Sequence, residues 1–183
     1  MKENKLEDYM NFTKAVYGDK DPAHNFKHIR RISKRLKMFI EATDEQMNLQ
    51  LLYFLAAFHG LIKKIASDNS FKEEIIVFLK GLGWSDSEIE NGFISLGRHI
   101  DNPITIEEKI VHDANYVELV GAFGIAKAFT TGGAKGQNYE ETIKIFENDF
   151  LEKIEFKTAL GRKIANKRKD YTREFLNILK TEL

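Results

Sequence analysis

The chain of 183 residues contains no cysteine. That excludes a disulfide framework and any thiolate metal site. Prolines number two, Pro22 and Pro103, and both fall at breaks in helical pattern, so long stretches carry no helix breaker. Charge of either sign is not in excess: 28 basic residues face 28 acidic ones. A zero net charge argues against general nucleic-acid or membrane-surface binding. No uninterrupted run of about 18 apolar residues occurs, so no membrane-spanning segment is expected. The opening residues, Met1 to Lys5, are polar and no apolar core follows them, so no secretory leader is expected and the cytoplasm is the default location.

What is present reads as helix. Apolar residues make up 43% and charged residues 31%, ordinary proportions for a globular protein, and the length suits one domain spanning 1–183 with a real core. Strand-like alternation is scarce. The expectation is an all-α, single-domain helical bundle of about eight helices. A first helix covers 6–17. A second starts at Asp21-Pro22, runs to about 42, and carries the stripe Phe26, Ile29, Ile32 and Leu36. Thr43-Asp44 is expected to cap a third helix reaching about 66, whose nearly all-apolar middle, 49–58, marks it as the central buried helix. Further helices follow at 70–83, after the capping box Ser85/Glu88 to about 99, and after Thr105/Glu108 to about 119. Small residues at 121–126 suit close helix packing, and the glycines of 130–137 suggest a flexible loop. A long helix is expected at 138–160. The last, 162–180, has Ile164, Tyr171, Phe175, Ile178 and Leu179 as its inner face.

Three polar residues stand out against apolar surroundings. His28 lies beside the stripe of the second helix. His59 ends the run Leu55-Ala56-Ala57-Phe58-His59-Gly60. Asp113 sits in His112-Asp113-Ala114-Asn115-Tyr116. Two neutral imidazoles and a carboxylate are ligands that a divalent metal accepts. A lone histidine in such a place is more often a satisfied core residue. His24 and His28, four apart, can share one helix face, which is weak evidence for a metal site.

The stretches around these residues resemble the HD-domain superfamily of metal-dependent phosphohydrolases. The N-terminal pattern of that family is similar to Asp21, His24, Asn25, His28, Arg31 and Ile32. Its name comes from a His-Asp doublet ending a helix, matched here by His59-Gly60, with the aspartate replaced. Its third stretch is matched from Glu107 through Asp113, Ala114, Asn115 and Glu118 to Gly121, Gly124, Ala126, Lys127 and Phe129. Asn115 and Tyr116 depart from an aspartate and a basic residue there. Phe150, Lys153, Thr158, Gly161, Ala165, Arg168 and Phe175 also fit, although Asp149 stands where histidine is usual. The resemblance covers about 20–180. It implies His28, His59 and Asp113 as metal ligands, with Arg31, Lys63 and Lys127 as candidate phosphate partners. Lys63 and Lys64 read on their own as solvated helix surface ahead of phosphate binding. His24 is a candidate substrate-side group. His99 falls where some members keep another active-site histidine; the plain alternative is a helix C-terminal residue favoured by the dipole.

Gly60 decides between two readings. Three protein ligands can still hold a catalytic cation, with water in the remaining position. The loss of one carboxylate weakens charge compensation, and a cost of at least about 10-fold in metal affinity is expected. The first reading is a phosphohydrolase acting on a phosphate ester or phosphoanhydride, plausibly of a nucleotide, through a weakened site for manganese, nickel, zinc, iron or magnesium. The alternative is an inactive protein of the same fold that binds a small ligand or a protein partner. The expected partner on the first reading is a small phosphorylated molecule, with no membrane and no general nucleic-acid binding.

Overall fold

The computed structural model describes residues 6–18 and 25–183. Asp21, Pro22 and His24 lie outside the described residues. Every regular element among the described residues is helical. Contacts divide the chain into two compact units, Met1–Val111 and His112–Leu183.

In the first unit, α1 (Leu6–Lys14), α2 (Phe26–Glu41), α3 (Leu49–Phe58), α4 (Ile62–Ser67), α5 (Asn69–Gly81) and α6 (Asp86–Arg98) follow in order, and α7 (Ile106–Tyr116) begins there. The centre is α3. Its sequence has no polar face to give to water, so α1, α2 and α6 pack around it. Leu52, Phe54, Leu55, Ala56, Ala57 and Phe58 are all fully buried. The α2 stripe behaves as its period dictates: Ile29, Ile32, Leu36 and Phe39 point inward, and His28 goes in with them.

Two details of this unit differ from expectation. The cap of α3 is Asn48, whose side chain accepts from the N–H groups of Gln50 and Leu51; Thr43-Asp44 stays outside the helix. The helical run also changes winding. A 3-10 turn, His59–Leu61, separates α3 from α4. Taken together, Leu49–Ser67 is long and apolar enough, by length and composition, to cross a membrane, although polar residues interrupt it. Half of that window is buried inside the protein, as befits a core helix.

The second unit contains the end of α7, a 3-10 turn at Val117–Leu119, α8 (Gly121–Ala134), α9 (Tyr139–Ile145) and α10 (Ala159–Glu182). Here three expectations are corrected. The glycine-rich 130–137 is not a loop throughout. Helix α8 continues to Ala134, and Gly132 is buried against Thr142, where an added Cβ would lie 2.3 Å from Oγ1. Small residues at this point serve close approach, and the turn follows only at Gly136, which adopts positive φ. The expected helix over 138–160 breaks: α9 gives way to a π turn at Phe146–Leu151, and α10 starts afresh behind Thr158. On α10 the inner face is Gly161, Ala165, Thr172 and Leu176, whereas Tyr171, Phe175 and Ile178 are exposed. Ile164 and Leu179 of the expected stripe are half-buried, and the face against α8 mixes small residues with Leu176.

One ion pair fixes the entry to α7. Glu108 is fully buried and accepts from Arg98 Nε and from the Ile104 N–H at 2.7 Å. Burial alone would raise its pKa, but the Arg98 guanidinium and the backbone donor outweigh it and hold the carboxyl below the ordinary glutamate value of 4.5. A depressed carboxyl contributes stability above that value and loses it as pH falls below it. Glu108→Gln should therefore lower the melting temperature near pH 7 and flatten its decline between about pH 4.5 and 3 relative to the parent. Thermal melts across that range check this.

Candidate metal centre

The first unit brings His28 and His59 together. Their Nε2 atoms are 3.1 Å apart and their rings meet edge-on at 5.1 Å between centroids. His28 arrives one turn into α2, on the buried stripe, and His59 arrives at the winding change after α3. The ring of His59 is oriented by its own helix, because Nδ1–H donates to the Ala56 carbonyl at 3.1 Å. A carbonyl can only accept, so the proton sits on Nδ1 and the neutral ring presents a lone pair at Nε2. His28 Nε2–H then donates to that lone pair.

The same separation suits two ligands of one cation. Nitrogens about 2.0–2.1 Å from a zinc, at ordinary angles, are roughly 2.9–3.4 Å apart. His99 repeats the arrangement: its Nδ1–H donates to Leu96 O at 2.8 Å, and its ring faces that of His59 edge-on at 6.3 Å. His99 is also buried. It is a core-facing histidine that caps the C-terminus of α6, as the plain alternative had it, with its ring turned inward.

Gly60 brings no ligand, and its place has been taken. A Cβ added there would lie 3.1 Å from both Cε1 and Oη of Tyr17. Tyr17 is fully buried, donates from Oη to Ala57 O at 3.0 Å and accepts from the Gly60 N–H at 3.2 Å. Burial pushes its phenol well above the ordinary range, so it remains a protonated donor. Sequence reasoning passed over Tyr17, because nothing local ties a tyrosine just after α1 to a glycine 43 residues on.

Asp113 belongs to the second unit, where it is fully buried and fully engaged. Oδ1 accepts from the Lys157 N–H at 2.9 Å and from His112 Nδ1–H at 3.0 Å. Oδ2 accepts from the N–H and the hydroxyl of Thr158, both at 2.7 Å. Thr158 is the cap of α10, so this carboxylate anchors the start of the last helix. Gly161 completes the fit, since a Cβ there would lie 2.0 Å from Oδ2. His112 in turn stacks on Tyr116, ring centroids 4.2 Å apart.

The remaining candidates are distributed. Arg31 is half-buried on α2, one turn after His28, and Lys63 is exposed on α4. Lys64 pairs with Asp68 at 2.9 Å. Lys127 is half-buried on α8, and Asp149 pairs with Lys153 at 2.6 Å on the π turn. Among the described residues, no group of three or more histidine, cysteine, aspartate or glutamate side chains is arranged to hold a metal ion. The donor set thus fits in part: two imidazole nitrogens at ligand spacing, with no carboxylate at residue 60.

Solved structures share this arrangement of helices. An HD-superfamily hydrolase from Bacillus thuringiensis superposes with a TM-score of 0.78 at 24% identity, covering 97% of this chain and 95% of that one. This is the HD-domain fold. A Listeria innocua protein, Lin1889, matches with a TM-score of 0.77 at 25% identity over 97% of this chain and 94% of its own. The uncharacterized protein YpgQ of Bacillus subtilis is 26% identical over all of this chain and 96% of its own length. YpgQ has also been solved in complex with ADP, and that structure superposes with a TM-score of 0.77 at 21% identity over 97% of this chain and 94% of its own. No family model matches the HD-fold chain described here.

The bonding of Asp113 gives a prediction that involves no metal. Asp113→Asn turns one acceptor into a donor that faces backbone N–H groups, which should cost about 3 kcal/mol of stability. Urea unfolding in the presence of a chelator measures that loss.

Proposed function

We propose that this chain is an HD-type phosphohydrolase acting on a phosphate ester or phosphoanhydride of a small molecule, with a nucleotide as the favoured substrate class. The observation that supports it most is the His28–His59 pair, two buried imidazoles whose Nε2 atoms stand 3.1 Å apart. The ADP complex of YpgQ lends the nucleotide its weight.

In this reading His28, His59 and Asp113 hold a divalent ion, the third ligand being taken from the resemblance rather than from a distance. When bound, such an ion polarises a phosphoryl oxygen and brings the pKa of its water near 7. The chain supplies the rest. Ala56 O keeps the His59 proton on Nδ1, which leaves Nε2 available. To ligate through Nε2, His28 shifts its own proton to Nδ1. Arg31, Lys63 and Lys127 offer positive charge to the phosphate groups. With no carboxylate at residue 60, a bound ion would be held weakly.

A second reading, a non-catalytic protein that binds a small phosphorylated ligand, is favoured by the phenol packed on Gly60 and by the engagement of Asp113.

Metal content separates the two. On the enzyme reading, manganese, nickel, zinc, iron or magnesium raises the melting temperature of the parent and not of His59→Ala, and the loaded parent releases phosphate from a nucleotide panel. A parent that takes up none of these ions, and whose melt is shifted by ADP alone, supports the ligand-binding reading and ends the first.

A further inference from the structure

We infer that Tyr17 is a positioning residue for His59: it has taken over the space and the tethering of the turn that a side chain at residue 60 would otherwise occupy. This deepens the proposed function and rests on its reading of His59 as a ligand.

Three observations converge on the point. The first is space. The ring edge and hydroxyl of Tyr17 lie where a side chain at residue 60 would begin, 3.1 Å from the ideal Cβ position. Such a contact is too tight for a larger side chain unless the ring moves, and a fully buried ring has little room to move. The second is bonding. One hydroxyl spans the winding change, donating to Ala57 O before His59 and accepting from the Gly60 N–H after it. The third is what lies between those anchors. The His59 ring is held by its Nδ1–H bond to Ala56 O, which depends on the same short stretch of backbone.

The consequence is a coupled pair, Tyr17 with Gly60. Glycine leaves the space, and tyrosine fills it and ties the turn. Restoring an aspartate at residue 60 without making room for it should therefore fail.

The test is a double-mutant cycle read by three measurements. Gly60→Asp should lower the melting temperature by roughly 3–6 °C. Tyr17→Ala should lower it too, and the combined variant should melt higher than the sum of the two losses allows. Additive losses would overturn the claim that the two share one space. For the tethering, long-range proton–nitrogen spectra of Tyr17→Phe, which keeps the ring and should fold, report the His59 tautomer. The expected result is a mixture at His59, with His99 unchanged on Nδ1–H because Leu96 O holds it independently. A His59 that stays wholly on Nδ1–H would overturn the positioning role. Manganese titration then addresses the underlying reading separately: the combined variant should bind at least about 10-fold more tightly than Tyr17→Ala. A coupled cycle and a mixed tautomer, with manganese binding unchanged in His59→Ala, would leave Tyr17 as the tether and remove His59 from the ligands.

Discussion

The first unit depends on a helix that has no polar side. Leu52 and Phe54 to Phe58 are buried around the whole circumference of α3, so neighbours must enclose it. At about 25 cal/mol per Å2 of apolar surface, each such side chain contributes about 1.5–3 kcal/mol relative to exposure, more than any surface ion pair in the molecule offers. Enclosure has a chemical by-product. The helix ends among neighbours, so His59 at its end is buried, and a buried imidazole has to find partners. It finds Ala56 O for its donor and His28 for its acceptor. The same hydrophobic demand that organises the helices thus places a paired, buried imidazole at the end of α3.

The second unit solves a comparable problem with a carboxylate. A buried charge without donors would cost several kcal/mol, and Asp113 is surrounded by four. These donors come from His112 beside it and from the segment that starts α10. The acid is thus both polar core and helix anchor. Gly161 is tied to it by volume, since any side chain there would press on the carboxylate. A residue bonded this fully has a structural reason to be an aspartate, independent of any ligand. Its presence is therefore weaker evidence for catalysis than two buried imidazoles whose Nε2 atoms stand at ligand spacing.

Helical class and the central place of 49–58 could be read from composition and period, because a run apolar on every face has few other uses. Both capping boxes expected at helix starts were legible in their local spacing; Ser85 with Glu88 forms one in full. The failures are of another kind. Gly132 looked like loop because glycine is permissive, whereas here it is needed for its missing Cβ beside Thr142. The large residues Tyr171, Phe175 and Ile178 looked like a core face because they are apolar, whereas the buried face runs through Gly161, Ala165, Thr172 and Leu176. At the site, His28, His59 and Asp113 were legible as buried polar residues. Tyr17 was not, since its role exists only where two segments distant in sequence meet.

That meeting changes what Gly60 means. A glycine reached by simple truncation of a carboxylate would leave a void, and voids in a close-packed interior forfeit contacts on every side. Water could fill such a void only if it found two or more polar partners. In this chain a phenol fills it instead, with its hydroxyl bonded at both ends of the turn. The arrangement is packed and hydrogen-bonded, and it holds the His59 turn by means other than a carboxylate. The orientation of the imidazole is held from the backbone, with Ala56 O accepting from His59 Nδ1–H and Tyr17 tying the turn on either side.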